Sequence, residues 1–310
     1  MKKTLILILS LTFCFCNCFS QQSSKAWKDV NYTGDTMLYH RMDIYLPPTT
    51  VTKTAPFPAV VLIYGSAWLS NKSKGADMHS LGQALLNAGF AVITPNHRSS
   101  FDAKFPAQMN DIKAAIRFLR GNASQYSIDT TFIGVTGSSS GGNMAAMAGT
   151  TRYVKTKKLG DVTVDIEGNL GAYTSHGSSV DAVVDWFGPT NMLVMDSCGG
   201  TDFIHNDPGS PASLYIGGAI QNNKEKTLLA SPITYIDANT PPFLIFHGTA
   251  DRVVPHCQSE ILFKALQNAK VPSQLYLVPN GQHGPGVHTD TNIKLMVDFF
   301  KAQQIQKKKK

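Results

Sequence analysis

A serine between glycines provides the strongest chemical signal in the sequence. The pentapeptide 137–141 has the sequence GSSSG and matches the pattern G-x-S-x-G, with Ser139 at its centre. The apolar segment 131–136 precedes it and the small residues of 144–148 follow it, so a strand should lead through a sharp turn into a helix. Such a turn exposes the serine hydroxyl as a nucleophile, and the helix N-terminus adds a positive partial charge. A phosphate-binding loop is the alternative, but no Gly-Lys-Ser/Thr sequence follows.

A serine hydroxyl is a weak nucleophile, so it needs a base and an acid that orients the base. After a serine turn of this kind, the chain order is Ser, then Asp or Glu, then His. Asp251 follows the apolar segment 243–246, and His283 lies between glycines after the next apolar segment, 274–278. We therefore predict that Asp251 is the acid and His283 is the base.

Other acids and histidines are alternatives for these two positions. Asp237 precedes its strand, and Asp290 begins the last predicted helix, where a carboxylate is common. His288 is five residues from His283 and is the rival base. The six histidines after residue 170 contain no His-Glu-x-x-His pattern or close pair on a helix, so neither a metal site nor a cofactor is expected.

Strand-like and helix-like segments alternate along the chain, which predicts an α/β fold with a mostly parallel sheet and helices on both faces. The predicted strands lie around 30–32 and at 42–46, 59–64, 90–94, 131–136, 180–187, 243–246 and 274–278, and the main predicted helices at 77–87, 106–120, 259–268 and 292–301. Residues 189–230 interrupt this alternation and are rich in Gly, Pro, Ser, Asn and Asp. We expect one domain, 21–310, in which 189–230 is a short cap-like insertion over the carboxyl ends of the strands, where such sheets bind ligands.

The first twenty residues resemble a cleavable signal peptide. Lys2 and Lys3 precede the apolar segment 4–15, and small residues stand at positions 18 and 20. A lipid anchor is less expected, because the residues before the three cysteines of this segment are not small. The apolar segment is short for a membrane span, and nothing later approaches the required length. The prediction is a periplasmic or secreted protein without a transmembrane span in its mature chain.

Cleavage after Ser20 would leave two cysteines, Cys198 and Cys257. Export to an oxidising compartment favours a disulfide between them, with two separate buried thiols as the alternative.

Composition is typical of a globular protein. Of the 310 residues, 43% are hydrophobic and 16% are charged, which is enough apolar material for a packed core. The net charge of +7 arises largely from lysines near the two ends, Lys2, Lys3 and the run 307–310. Because there is no basic stripe interleaved with aromatic residues, a nucleic-acid partner is not expected.

Taken together, these motifs resemble the α/β-hydrolase superfamily. More narrowly, the chain is similar to bacterial esterases of the feruloyl/acetyl esterase (BD-FAE) group, related to the hormone-sensitive-lipase branch. The resemblance covers about 42–300 and rests on the loop 64–68, the segment 105–108 with Asp111, Ile128-Asp129, the serine turn with Gly142-Asn143, the run 251–255 and the loop 281–284. It implies an α/β-hydrolase fold and a catalytic triad of Ser139, Asp251 and His283.

The oxyanion-binding donors are expected from two places in the chain. One is the backbone N–H of Ser140, directly after the nucleophile, and the other is the loop 64–68 after an early strand. That loop usually has the sequence H-G-G-x-W in the family, but here it is Y-G-S-A-W. Ser66 and Ala67 are the candidate donors, and the sequence does not distinguish between them.

The predicted function is a secreted serine carboxylesterase that hydrolyses acyl esters through an acyl-enzyme. The resemblance implies acetyl or feruloyl groups on a carbohydrate, so the expected partner is a small-molecule or polysaccharide ester. An amidase or peptidase with the same fold is the first alternative, and a catalytically silent binding protein is the second.

Overall fold

The computed structural model describes residues 25–52 and 54–309. The predicted signal peptide, 1–20, lies outside the described residues. Within the described ranges, no helix combines the length and the apolar character that crossing a bilayer would require.

A large twisted sheet forms the centre of the molecule. In the described residues the strands are β1 Ala26–Asn31, β2 Arg41–Tyr45, β3 Phe57–Ile63, β4 Ala91–Pro95, β5 Ile128–Ser138, β6 Thr156–Leu159, β7 Val162–Asp165, β8 Ala182–Trp186, β9 Phe243–Gly248 and β10 Ser273–Val278. Eight of them form one sheet in the order β1-β2-β4-β3-β5-β8-β9-β10. Only the pairs that involve β2 are antiparallel, and the others run parallel.

Helices cover both faces of this sheet. They are α1 Gln83–Asn87, α2 Ala107–Gly121, α3 Ser140–Thr150, α4 Met195–Cys198, α5 Pro211–Ile216, α6 Lys224–Leu229, α7 Cys257–Asn268 and α8 Asp290–Lys308. One apolar cluster joins the sheet to α2, α3 and α7, and a second joins it to α1 and α8. The side chains of β3 alternate between the two clusters, as expected for a strand buried on both faces. The predicted α/β architecture is confirmed.

Two elements differ from the sequence prediction. The helix predicted at 77–87 consists of one π-helical segment, Met78–Gly82, followed by the short helix α1. The hairpin β6–β7 was not predicted, because its strands have four residues each and are mostly polar and exposed. Only Val164 in this hairpin is buried, so its sequence lacks the apolar pattern by which a strand is recognised.

The insertion 189–230 connects β8 to β9 and contains the short helices α4 to α6. A disulfide joins Cys198 at the end of α4 to Cys257 at the start of α7. Asp202 of the insertion also forms an ion pair with Arg252, in the loop after β9. Both links hold the insertion beside the carboxyl ends of the central strands.

Candidate active site

The candidate nucleophile lies on a strained turn between β5 and α3. Ser139 has a φ of 57° and a ψ of −123°, a conformation that residues with a side chain rarely adopt. The neighbouring glycines make this turn possible, since a Cβ on Gly141 would lie 2.2 Å from the carbonyl oxygen of Ile63. The close approach of the turn to β3 therefore requires glycine at this position.

Three side chains form a continuous chain of hydrogen bonds from this turn. The Nε2 atom of His283 lies 2.9 Å from the Oγ atom of Ser139. Its Nδ1 atom lies 2.7 Å from the Oδ2 atom of Asp251. Asp251 and His283 follow the adjacent parallel strands β9 and β10, whose carboxyl ends bring the two loops together. The structure therefore brings together the three residues that the sequence singled out.

The environment of Asp251 favours its charged form. Burial by itself would raise the pKa of this carboxyl, but hydrogen bonds from His247 and His283 and the backbone N–H of Val254 hold the pKa well below its usual range. The N–H groups of Val253 and Val254 donate to its Oδ1 atom at 2.8 and 2.9 Å. Asp251 is therefore a fixed carboxylate beside the ring of His283.

His247 supports the acid from the interior, and its role was not predicted from the sequence. Its Nε2 atom lies 2.9 Å from the carbonyl oxygen of Val254 and 3.3 Å from Oδ2 of Asp251. Because a carbonyl only accepts, Nε2 carries the proton, and the Ser259 hydroxyl donates to Nδ1 at 2.7 Å. The available signal was the position of His247 near the end of a buried strand, four residues before the acid.

The rival residues lie in other settings. Asp237 forms a turn in which its Oδ1 atom accepts from the N–H of Asn239 at 2.9 Å. Asp290 is the first residue of α8. His288 is closer to the site: its Nε2 atom lies 3.4 Å from Oγ of Ser138, the residue before the nucleophile. None of these three residues takes part in the hydrogen-bonded chain from Ser139 through His283 to Asp251.

The oxyanion loop distinguishes the two candidate donors. The N–H of Ser66 donates to Oγ of Ser140 at 2.9 Å, so this donor is already engaged. Among the described residues the N–H of Ala67 has no such partner. Ser140 is the first residue of α3, so its own N–H has no acceptor within the helix. In the described part of the chain, the N–H groups of Ala67 and Ser140 therefore remain available as donors, and Ala67 is the more suitable of the two candidates in the loop.

Two cavities meet at Ser139 and Ala67. The first, which we call the apolar cavity, has a volume of about 580 Å³ and is lined mainly by hydrophobic side chains of the oxyanion loop and the insertion, including Trp68, Met195, Phe203, Ile204 and Ala212. The second, the polar cleft, has a volume of about 750 Å³ and contains Asp77, Ser80, His283 and His288. His283 lines the polar cleft but not the apolar cavity.

Metal ligands do not gather at this site. In residues 25–52 and 54–309, no group of three or more His, Cys, Asp or Glu side chains has an arrangement that could hold a metal ion.

Comparison with known proteins shows the family to which the chain belongs. The family model described as BD-FAE matches residues 42–266 of the chain. The chain belongs to the BD-FAE family. This result and the named esterases among its relatives confirm the predicted resemblance to α/β-hydrolase esterases.

Relatives of this BD-FAE family member include solved structures and curated proteins. A truncated carbohydrate esterase from gut microbiota is 47% identical, with a TM-score of 0.87, and the match covers 92% of this chain and 98% of that one. A bifunctional GH43-CE protein of Bacteroides eggerthii is 48% identical, with a TM-score of 0.84, over 90% of this chain and 35% of that one. The esterase LipQ of Mycobacterium tuberculosis is 26% identical over 73% of this chain and 50% of its own length. The chain thus spans about half the length of the curated esterases that it matches.

Asp185 is a buried carboxyl group beneath the serine turn of this BD-FAE family member. Its Oδ1 atom accepts from the N–H of Gly188 at 3.0 Å, whereas Oδ2 has no partner among the described residues. Burial raises the pKa of Asp185 to about 7, although the Gly188 N–H opposes this effect. An unfolded aspartate has a pKa of about 3.9. Between about pH 4 and 7, the folded protein therefore keeps a proton on Asp185 that the unfolded chain has already lost.

We expect Asp185→Asn to remove a pH dependence of stability. Because the folded pKa is raised, the free energy of unfolding of the wild type should fall as the pH rises from about 4 to 7. The expected loss between pH 5 and pH 8 is about 2–3 kcal/mol, and Asp185→Asn should lack it because an amide does not titrate. Urea unfolding of both proteins at the two pH values measures the difference. An equal pH dependence in both proteins would contradict the assignment of the proton to Asp185.

Proposed function

We propose that the protein is a serine carboxylic ester hydrolase. The observation that carries this proposal is the unbroken chain from Oγ of Ser139 through His283 to the buried carboxylate of Asp251, with distances of 2.9 and 2.7 Å. This arrangement can activate a hydroxyl for acyl transfer, and it opens on two cavities of substrate size.

The reaction proceeds in two acyl transfers. Oγ of Ser139 attacks the ester carbonyl while Nε2 of His283 accepts the hydroxyl proton. The N–H groups of Ala67 and Ser140 donate to the oxygen that becomes negative, and Asp251 stabilises the imidazolium. The imidazolium then gives its proton to the departing alkoxide, which leaves an acyl-enzyme. A water molecule, deprotonated by His283, attacks that acyl group. The imidazolium then returns the proton to Oγ of Ser139, so that the acid and free Ser139 are released.

The two cavities suggest how the ester is oriented. The leaving alcohol must receive its proton from His283, which lines the polar cleft. The acyl group on the other side of the carbonyl therefore occupies the apolar cavity. A volume of about 580 Å³ lies within the range of ligand pockets, so this cavity has room for an acyl group as large as feruloyl as well as for acetyl.

The descriptions of similar solved structures support an ester of this kind as the substrate. Solved structures of similar sequence are described as carbohydrate esterases, and we propose the same class for this chain, with acetyl or feruloyl groups esterified to a carbohydrate. We also propose export to the periplasm or the medium. The disulfide between Cys198 and Cys257 supports export, because such bonds persist in oxidising compartments.

A panel of esters tests the proposed activity. We expect hydrolysis of p-nitrophenyl acyl esters and of methyl ferulate or acetylated xylan, and much slower cleavage of the matching p-nitroanilides. A phosphonate that labels activated serines should modify the peptide that contains Ser139. Faster turnover of the amides would favour the amidase or peptidase alternative. A folded protein that cleaves nothing and is not labelled would support the silent binding protein.

Phe203 provides a test of the acyl side. Its ring is 55% exposed on the insertion and lines the apolar cavity, so its truncation should not disturb the core. For Phe203→Ala we expect the ratio of kcat/KM for methyl ferulate to that for methyl acetate to fall about tenfold, because a large acyl group loses apolar contact area. Phe101→Ala is the matched control, since Phe101 is 70% exposed and lines neither cavity. An equal ratio in both variants would show that the acyl group lies elsewhere.

A further inference from the structure

The polar cleft carries side chains that the hydrolysis itself does not use. Asp77 directly precedes the π-helical segment Met78–Gly82, Ser80 lies within that segment, and His288 lies in the loop after His283. Asp77 is half-buried and precedes the first residue of this helix, yet its carboxylate does not cap it. In the part of the chain that the structure describes, no donor is bonded to that carboxylate, so its oxygens remain free to accept hydrogen bonds.

His288 adds a neutral polar group to this cleft. Burial lowers its pKa, and the nearby His283 lowers it further, although Asp77 opposes both effects. The ring is held by edge-on contact with Trp186 and by a tilted contact with Phe187. A neutral imidazole held in this way can donate one hydrogen bond and accept another.

These groups occupy the side of the site where the alcohol must leave. His283 protonates the leaving oxygen, so the atoms attached to that oxygen extend into the cleft that His283 lines. A carboxylate, a hydroxyl and a neutral imidazole all form hydrogen bonds with hydroxyl groups, and the carboxylate accepts from two of them at once. The opposite cavity is lined by larger hydrophobic side chains such as Trp68 and Phe203. Its two carboxylates already have partners, because Asp202 pairs with Arg252 and Asp207 accepts from the N–H of Gly209.

We propose that Asp77, Ser80 and His288 form a binding site for a neutral sugar residue that carries the scissile ester. This inference rests on the proposed esterase activity and extends it by naming the groups that select the alcohol. The carboxylate of Asp77 repels an acidic sugar such as a uronic acid, so the site prefers an uncharged pentose or hexose.

The test compares two esters of the same acid. Methyl ferulate and ferulate esterified to arabinose present the same acyl group, so the ratio of their kcat/KM values isolates the contribution of the sugar. In Asp77→Asn and Asp77→Ala we expect the ratio of sugar ester to methyl ester to fall about tenfold, as for one charge-assisted hydrogen bond. Ser80→Ala should lower the ratio less, because it removes a neutral partner. Free arabinose should also inhibit methyl ferulate hydrolysis less strongly in the Asp77 variants than in the wild type.

Asp161→Asn is the matched control. It removes the same charge from the turn between β6 and β7, outside both cavities, and should leave the ratio unchanged. A ratio that stays within twofold of wild type in both Asp77 variants would overturn the sugar site while leaving the esterase proposal standing. A folded wild type that cleaves neither ester would instead overturn the esterase proposal and the site that rests on it.

Discussion

Ser139→Ala should lower kcat for ester hydrolysis by about 10⁴- to 10⁶-fold, because it removes the atom that we propose forms the acyl-enzyme. Oγ of Ser139 forms the hydrogen bond with Nε2 of His283, and the methyl group of alanine cannot form this bond. Residual turnover should come from the oxyanion donors and from substrate binding, which the substitution leaves in place. Stopped assays with a sensitive chromogenic ester measure the loss.

The fold of this variant should be unchanged, since Ser139 owes its backbone conformation to the surrounding glycines rather than to its side chain. The far-ultraviolet circular dichroism spectrum and the melting temperature check this point. Ser124→Ala, at an exposed serine in the connection between α2 and β5, serves as the control and should retain full activity. Turnover within about tenfold of the wild type in Ser139→Ala would contradict the proposed nucleophile.

The parts of this site that the sequence predicts are those encoded by local pattern. The turn at Ser139 follows from glycine spacing between an apolar strand and a small-residue helix, and all of these features lie within about twenty residues. Asp251 and His283 follow from the positions of two more apolar strands. Their roles stay predictions until variants are assayed, but their meeting with Ser139 follows from the parallel order of β5, β8, β9 and β10.

Other features depend on contacts between distant segments, which no local pattern encodes. Ser66 and Ser140 are separated by 74 positions, and only the folded structure shows that the N–H of Ser66 donates to Oγ of Ser140. The position of Asp77 in the polar cleft has the same origin, because a half-exposed aspartate in a surface segment resembles any solvated residue. His247, unlike Asp77, is fully buried in an apolar strand. A buried polar side chain usually has a hydrogen-bond partner, so its position in the sequence already indicates a specific contact.

Replacing Asp251 should also have a large effect on turnover, because this carboxylate holds the ring of His283. In Asp251→Asn we expect kcat to fall about 10⁴-fold near neutral pH. The carboxylate accepts a hydrogen bond from the N–H at Nδ1 of His283, and this leaves Nε2 free to accept the proton of Ser139. An amide can instead donate to Nδ1, which places the ring proton on Nε2 and removes the base that the serine needs.

The low pKa of Asp251 also predicts how kcat/KM of the wild type depends on pH. Hydrogen bonds from His247 and His283 outweigh its burial and hold its pKa well below the usual range, so it remains ionised near neutral pH. The acidic limb of the wild-type kcat/KM profile should therefore not arise from the protonation of Asp251. Asp237→Asn is the matched control, because the rival acid only forms a turn and the same substitution there should leave kcat unaltered. A loss of turnover in Asp237→Asn with normal turnover in Asp251→Asn would reverse the assignment of the acid.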